Sequence, residues 1–147
     1  MTTNRSIFVN LPVKDLDRSV EFFTSLGFEF NPEFTNEVAT CMIIDENIFA
    51  MLLSESFFSG FIPGRRIADT SDTTEVLVAL FLNDREEVDE MIRNAVAAGG
   101  TRFREIEEFQ GMYGGAFQDL DGHIWEIGHM GQAATSGGAE GNEDESR

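Results

Sequence analysis

Apolar and polar positions in this chain switch repeatedly between a period of two and a period near 3.6, and each switch marks an element. Residues 7–13, Ile-Phe-Val-Asn-Leu-Pro-Val, read as a strand. Pro12 has no backbone N–H to give, so this strand lies at a sheet edge or ends there. Asp15 follows as an N-cap. Leu16, Ser19, Val20, Phe23 and Leu26 then recur at helical spacing, and Gly27 stops the helix. Phe28 to Phe30 opens a short strand. Residues 38–44 and 48–53 are apolar runs separated by Asp45-Glu46-Asn47, a hairpin signal.

The same plan recurs further on. Residues 76–82 read as a strand, and Asp84 with Glu87 is a capping-box-like helix start. Val88, Met91, Ile92, Ala95 and Val96 form the buried stripe, and Gly99-Gly100 ends the helix. Strands are predicted over 102–107, 112–118 and 124–128. Each half therefore reads β-α-β-β-β, an α+β pattern written twice. The expected organisation is one domain over 6–130, with modules 6–54 and 75–130 and a linker over 55–74. In that linker 56–62 is apolar and suits a short helix, Pro63-Gly64 breaks it, and Thr70 to Thr74 reads as mobile. Residues 131–147 are Gly, Ala, Ser and acidic residues, the pattern of a disordered acidic tail.

Composition narrows the function. With 41% hydrophobic residues in 147, the chain can build a sizeable core. Fourteen Phe against one Trp and one Tyr point to apolar pockets as well as a core. The net charge of −17 repels nucleic acid and anionic membranes, so neither is an expected partner. No run approaches a membrane span, no signal-peptide pattern opens the sequence, and the single Cys41 permits no internal disulfide. A cytoplasmic protein is the expectation.

The most informative segment is Asp119-Leu-Asp-Gly-His-Ile-Trp-Glu126, a turn followed by a strand carrying one carboxylate among apolar residues. A Glu there is costly to bury unless it is paired, bound to a metal or working as a base. His123 and His129 lie at odd offsets from Glu126, so strand alternation puts both on the opposite face.

Two motifs carry a family resemblance. Leu11-Pro-Val-Lys-Asp-Leu-Asp-Arg-Ser-Val-Glu-Phe-Phe23 with Leu26-Gly-Phe28, and Phe117-Gln-Asp-Leu-Asp-Gly-His-Ile-Trp-Glu126, resemble the opening and closing motifs of the vicinal oxygen chelate superfamily. That group includes glyoxalase I, bleomycin-resistance proteins, fosfomycin-resistance enzymes and extradiol dioxygenases. The resemblance implies a glyoxalase-like fold, in which two βαβββ modules form curved mixed sheets around a cavity, and it implies a homodimer. In metal-using members four cavity strands each give one ligand. Carried over here, those positions fall on Phe8, within 50–52 with Met51 the best match, on or near Leu77, and on Glu126, of which only Glu126 is a metal ligand by type. No cofactor is therefore expected, and a divalent metal is poorly supported.

Candidate ligand-binding residues are Phe8, Asn10, Met51, Leu77, Tyr113, Phe117 and Glu126, with Glu126 the candidate catalytic group. Asn10 shares the Phe8 face by parity and could bond a ligand or tie down the strand end. Cys41 is a wall group or, as buried cysteines usually are, structural. Met42, Met51, Phe57, Phe58, Phe61, Phe117 and Trp125 could line an apolar cleft or pack as core. Arg65 and Arg66 could hold a carboxylate or stay solvated. Two function classes follow. One is a metal-free protein that binds or sequesters a small molecule in an aromatic-lined cavity. The other is a lyase, isomerase or transferase, lactoylglutathione lyase-like or otherwise, using Glu126. The enzyme predicts a second polar group within hydrogen-bond reach of Glu126.

Overall fold

Two units of like plan divide the chain at Thr73 and Thr74. The computed structural model describes residues 4–131, so the acidic tail expected over 131–147 lies, from residue 132 on, outside the described residues.

The first unit runs β1 (Ile7–Val13), α1 (Leu16–Ser25), β2 (Glu29–Asn31), a single 3-10 turn (Pro32–Phe34), β3 (Ala39–Asp45), β4 (Ile48–Ser54) and α2 (Glu55–Ser59). Its sheet has the order β1-β4-β3-β2, with β1 parallel to β4 and the other pairs antiparallel. β1 is thus an edge strand, which accommodates Pro12. Asp15 caps α1 by accepting the Arg18 N–H at 3.2 Å. The buried stripe of α1 is Ser19, Phe22, Phe23 and Leu26; Phe22 joins it, and Leu16 and Val20 are half-buried. With Leu11, Val13, Met42 and Leu52 they make the core of this unit.

The second unit repeats the plan as β5 (Leu77–Phe81), α3 (Arg85–Ala97), β6 (Thr101–Phe109), β7 (Met112–Gln118) and β8 (Ile124–Met130). The sheet order β5-β8-β7-β6 is the same permutation, again with the first pair parallel. Asp84 accepts the Glu87 N–H at 2.9 Å, and the Glu87 carboxylate accepts the Asn83 N–H at 3.0 Å. Val88, Ile92 and Ala95 are buried, whereas Val96, expected in the stripe, is 41% exposed. Beneath α3 lie Phe117 and Trp125, stacked with centroids 6.4 Å apart, together with Ile127.

The expected turn before β8 is built around Asp119. This buried carboxylate accepts the Asp121 and His123 N–H groups through Oδ1 and the Trp125 indole N–H through Oδ2, at 2.9, 3.0 and 3.0 Å. Burial pushes its carboxyl above the usual range, with His123 and these bonds pulling the other way. The side chain fixes both the turn and the ring that anchors β8 in the core.

Candidate functional site

Strand alternation and register decide which side chains share a face. In the second sheet Glu126 stands on β8 between Ala79 of β5 and Ala116 of β7. The next residue of each strand on that face is Phe81, Gly128 and Gly114, mutually in register. Leu77 is on this face too and is 53% exposed. Small side chains around Glu126 leave the sheet bare, and a groove of ≈ 160 Å³ opens there. Phe81, Phe109, Met112, Arg104 and Glu107 surround it with Glu126.

Arg104 is the residue that sequence reasoning missed. Its Nη2 donates to Oε2 of Glu126 at 2.9 Å. By simple alternation along β6, Arg104 and Glu107 fall on opposite faces. The register shifts twice, between Arg102 and Arg104 and again between Arg104 and Glu107. Each shift adds one residue to β6 against β7, as a β-bulge does. Arg104, Glu107 and Phe109 consequently all reach the Glu126 face. Gly115 lets the bulged strand lie close, since a Cβ there would stand 2.9 Å from the Arg104 carbonyl oxygen and 3.2 Å from the Ile106 Cα. Glycines at 114 and 115 opposite β6 are the only sequence signal for such an irregularity.

Several expected site residues lie elsewhere. Phe117 is fully buried on the α3 side of the sheet, the side opposite Glu126, so it is core and not a ligand contact. Trp125 and Met42 are likewise core. Tyr113 also faces α3, where its hydroxyl donates to Asp89 Oδ1 at 2.5 Å and Arg85 sits 4.8 Å over its ring. The Asp89 bond, burial and nearby carboxylates raise the Tyr113 hydroxyl above its ordinary value. Arg85 in turn pairs with Glu108. This cluster ties the first turns of α3 to the β6–β7 hairpin and does not meet Glu126. His129 is on the α3 side as well, its Nδ1 3.0 Å from the Leu82 carbonyl oxygen, and His123 is held in the Asp119 turn.

In the first sheet Phe8, Asn10 and Met51 do share one face. Phe8 stacks on Phe49 with centroids 4.7 Å apart, and Asn10 pairs in register with Met51. Asn10 Nδ2 donates to the Phe8 carbonyl at 3.3 Å, the strand-end bond expected as one of its two roles. Cys41 neighbours Met51 and is fully buried, which pushes its thiol up. Phe57 and Phe61 meet edge to face at 5.2 Å and are exposed. Arg65 and Arg66 line a shallow depression of the loop that follows α2.

A divalent metal does not fit these residues. Phe8, Met51 and Leu77 offer it no hard donor, and the Glu126 carboxylate is already held by a guanidinium, which repels a second cation. Among the described residues no group of three or more His, Cys, Asp or Glu could hold a metal ion.

Comparison with known proteins bears on the same architecture. Residues 5–44 match the family model described as bleomycin resistance protein-like N-terminal. No curated protein matches the chain. Among solved structures the hypothetical protein SA1046 from S. aureus is 29% identical, over 87% of this chain and 95% of that one, with a TM-score of 0.73. A glyoxalase/bleomycin resistance protein/dioxygenase family enzyme from Burkholderia phytofirmans PsJN is 15% identical, over 84% and 96%, with a TM-score of 0.72. Lactoylglutathione lyase from Agrobacterium tumefaciens is 17% identical, over 87% and 95%, with a TM-score of 0.63. No helix among the described residues is long and apolar enough to cross a membrane. The matched N-terminal segment is similar to bleomycin-resistance-like proteins, and the fold is similar to that of glyoxalase and bleomycin-resistance structures, the architecture that the vicinal oxygen chelate resemblance implies.

Proposed function

We propose that this chain is a small-molecule-binding protein of that superfamily which works without a divalent metal, with the Glu126 face of the second sheet as part of its binding surface. The observation that carries the reading is the Arg104–Glu126 pair, which occupies the one carboxylate a metal would need and lies beside Phe81, Phe109 and Met112. The groove is smaller than the ~300 Å³ at which pockets begin to enclose drug-sized ligands. Apolar residues left open outside that groove, among them Phe8 and Leu77, support a working homodimer that covers them. The test is purification in a chelator, followed by a thermal-shift and calorimetric screen of aromatic compounds. Binding that survives the chelator supports the reading. Binding that requires added Ni²⁺ or Zn²⁺, or lactoylglutathione lyase turnover with either ion, overturns it.

The same pair favours a second reading. Arg104 is the polar group within hydrogen-bond reach of Glu126 that an enzyme requires. In that role Glu126 would take a proton from carbon beside a carbonyl, and Arg104 would stabilise the resulting oxyanion. Proton–deuterium exchange of ketone substrates in heavy water, lost in Glu126→Gln, would decide for the enzyme.

A further inference from the structure

Building on the binding face proposed above, we infer that the Arg104–Glu126 pair recognises the edge of an uncharged amide, lactam or urea group carried on a single apolar ring. The pair sets a donor and an acceptor side by side, with Nη2 and Oε2 2.9 Å apart. That contact uses one N–H and one lone pair. The remaining guanidinium donors and carboxylate lone pairs stay open, since the side chains are 46% and 36% exposed. An amide presents the matching neighbours, a carbonyl acceptor toward Arg104 and an N–H donor toward Glu126. It makes both bonds without breaking the ion pair.

Charge selects against an anion. Glu107 shares the groove and has no side-chain partner among the described residues. Glu107 and Glu126 together outnumber Arg104, and the chain carries −17 overall, so an anion that reaches Arg104 is repelled by what surrounds it. An organic cation is drawn to Glu107, but an ammonium has donors only and offers Arg104 no acceptor. Space sets the body of the ligand. Paired Gly114 and Gly128 form a floor without side chains, and the Phe81 ring lies against Gly128, its Cε2 3.2 Å from where a Cβ would stand. At ≈ 160 Å³ the groove holds one ring on that floor, against Phe109 and Met112.

The experiment titrates the ¹⁵N-labelled full chain with benzamide, benzoate and benzylamine, following the amide signals of Gly114, Glu126 and Gly128. Benzamide is expected to move these signals and to bind about tenfold more tightly than either charged analogue, the weight of hydrogen bonds made to charged groups. Glu126→Gln leaves Arg104 as the charge of the pair and turns the preference to benzoate. Arg104→Gln turns it to benzylamine. Glu126→Gln is isosteric, Arg104→Gln shortens a half-exposed side chain, and unchanged dispersion of the spectrum verifies each fold. If the unmodified chain binds benzoate or benzylamine preferentially at the same signals, the amide assignment is overturned while the binding face stands. If no probe moves these signals, both are overturned.

Discussion

The two modules place different chemistry on one strand order. Met51 holds in β4 the place that Glu126 holds in β8. Met51 has Asn10 and Cys41 as register neighbours, whereas Glu126 has Ala79 and Ala116. One strand further out, the row ends on Asn31 in the first sheet and on Arg104 in the second. β2 is only 3 residues long, while β6 runs for 9 and bulges twice. The difference teaches that a carboxylate on a sheet face acquires its meaning from the edge strand. A long, bulged edge delivers a guanidinium to Glu126; the short edge of the first module delivers nothing charged to Met51.

The closing turns differ as sharply, and breaking them should give the largest effect. Asp119 is buried and satisfies the indole N–H of Trp125 and two turn amides, whereas Asp45 is exposed and its side chain accepts the Glu46 N–H at 2.7 Å. Asp119→Ala leaves the buried Trp125 indole N–H and two part-buried turn amides without this partner and is expected to cost about 3 kcal/mol. Asp45→Ala should stay within ~0.5 kcal/mol. Urea denaturation of both variants checks this; equal losses would break the comparison. The pH dependence has a definite sign. Burial raises the Asp119 carboxyl in the fold, so its contribution is greatest below the unfolded value and is lost as pH climbs through the raised one. The gap between the unmodified chain and Asp119→Ala should therefore be wider near pH ~4 than at neutrality.

Gly115→Ala ranks next. The added Cβ would press on the Arg104 carbonyl oxygen and the Ile106 backbone, which cannot rotate away. A loss of about 1–3 kcal/mol is expected, as for other overpacked sites. The Arg104 side-chain NMR signal should shift with it. A variant of full stability with an unmoved Arg104 would show that the bulge does not need Gly115.

Much of the scaffold was legible because it follows from periodicity and punctuation. Asp15, Gly27, Asp84 and the two-module plan are local signals, and the strands of both sheets fall where alternation put them. The site was half legible. Strand parity correctly separated Glu126 from His129, because β8 is regular. The same rule failed for Arg104, because a bulge resets parity and leaves little trace in sequence beyond glycines on the neighbouring strand. Phe117 and Tyr113 were misplaced for a different reason. Their face depends on which side α3 covers, and aromatic residues suit a core and a pocket equally well. Asp119 was legible as part of a turn, but its burial was not, because that depends on the Trp125 ring lying against it.

The smallest effects on stability lie at the pair itself. Arg104→Ala and Glu126→Gln should each cost less than ~1 kcal/mol, since both side chains are more than a third exposed and solvent screens them. Ligand affinity should suffer more than folding, and a large melting-temperature loss with unchanged binding would contradict a binding role for Glu126. The last comparison expects no change at all. An ion binding the native state at about a hundredfold above its Kd adds roughly 2.7 kcal/mol, a shift of several degrees that thermal denaturation resolves easily. Ni²⁺ and Zn²⁺ should give none, either in the unmodified chain or in Arg104→Ala, because Phe8, Met51 and Leu77 still contribute no donor once the guanidinium is gone. A shift seen only in Arg104→Ala would mean that the guanidinium alone keeps an ion away, with the rest of a site drawn from residues such as Glu107. A shift already present in the unmodified chain would mean that the ion displaces Arg104 from Glu126, and the two modules would then differ by a metal site instead of an ion pair.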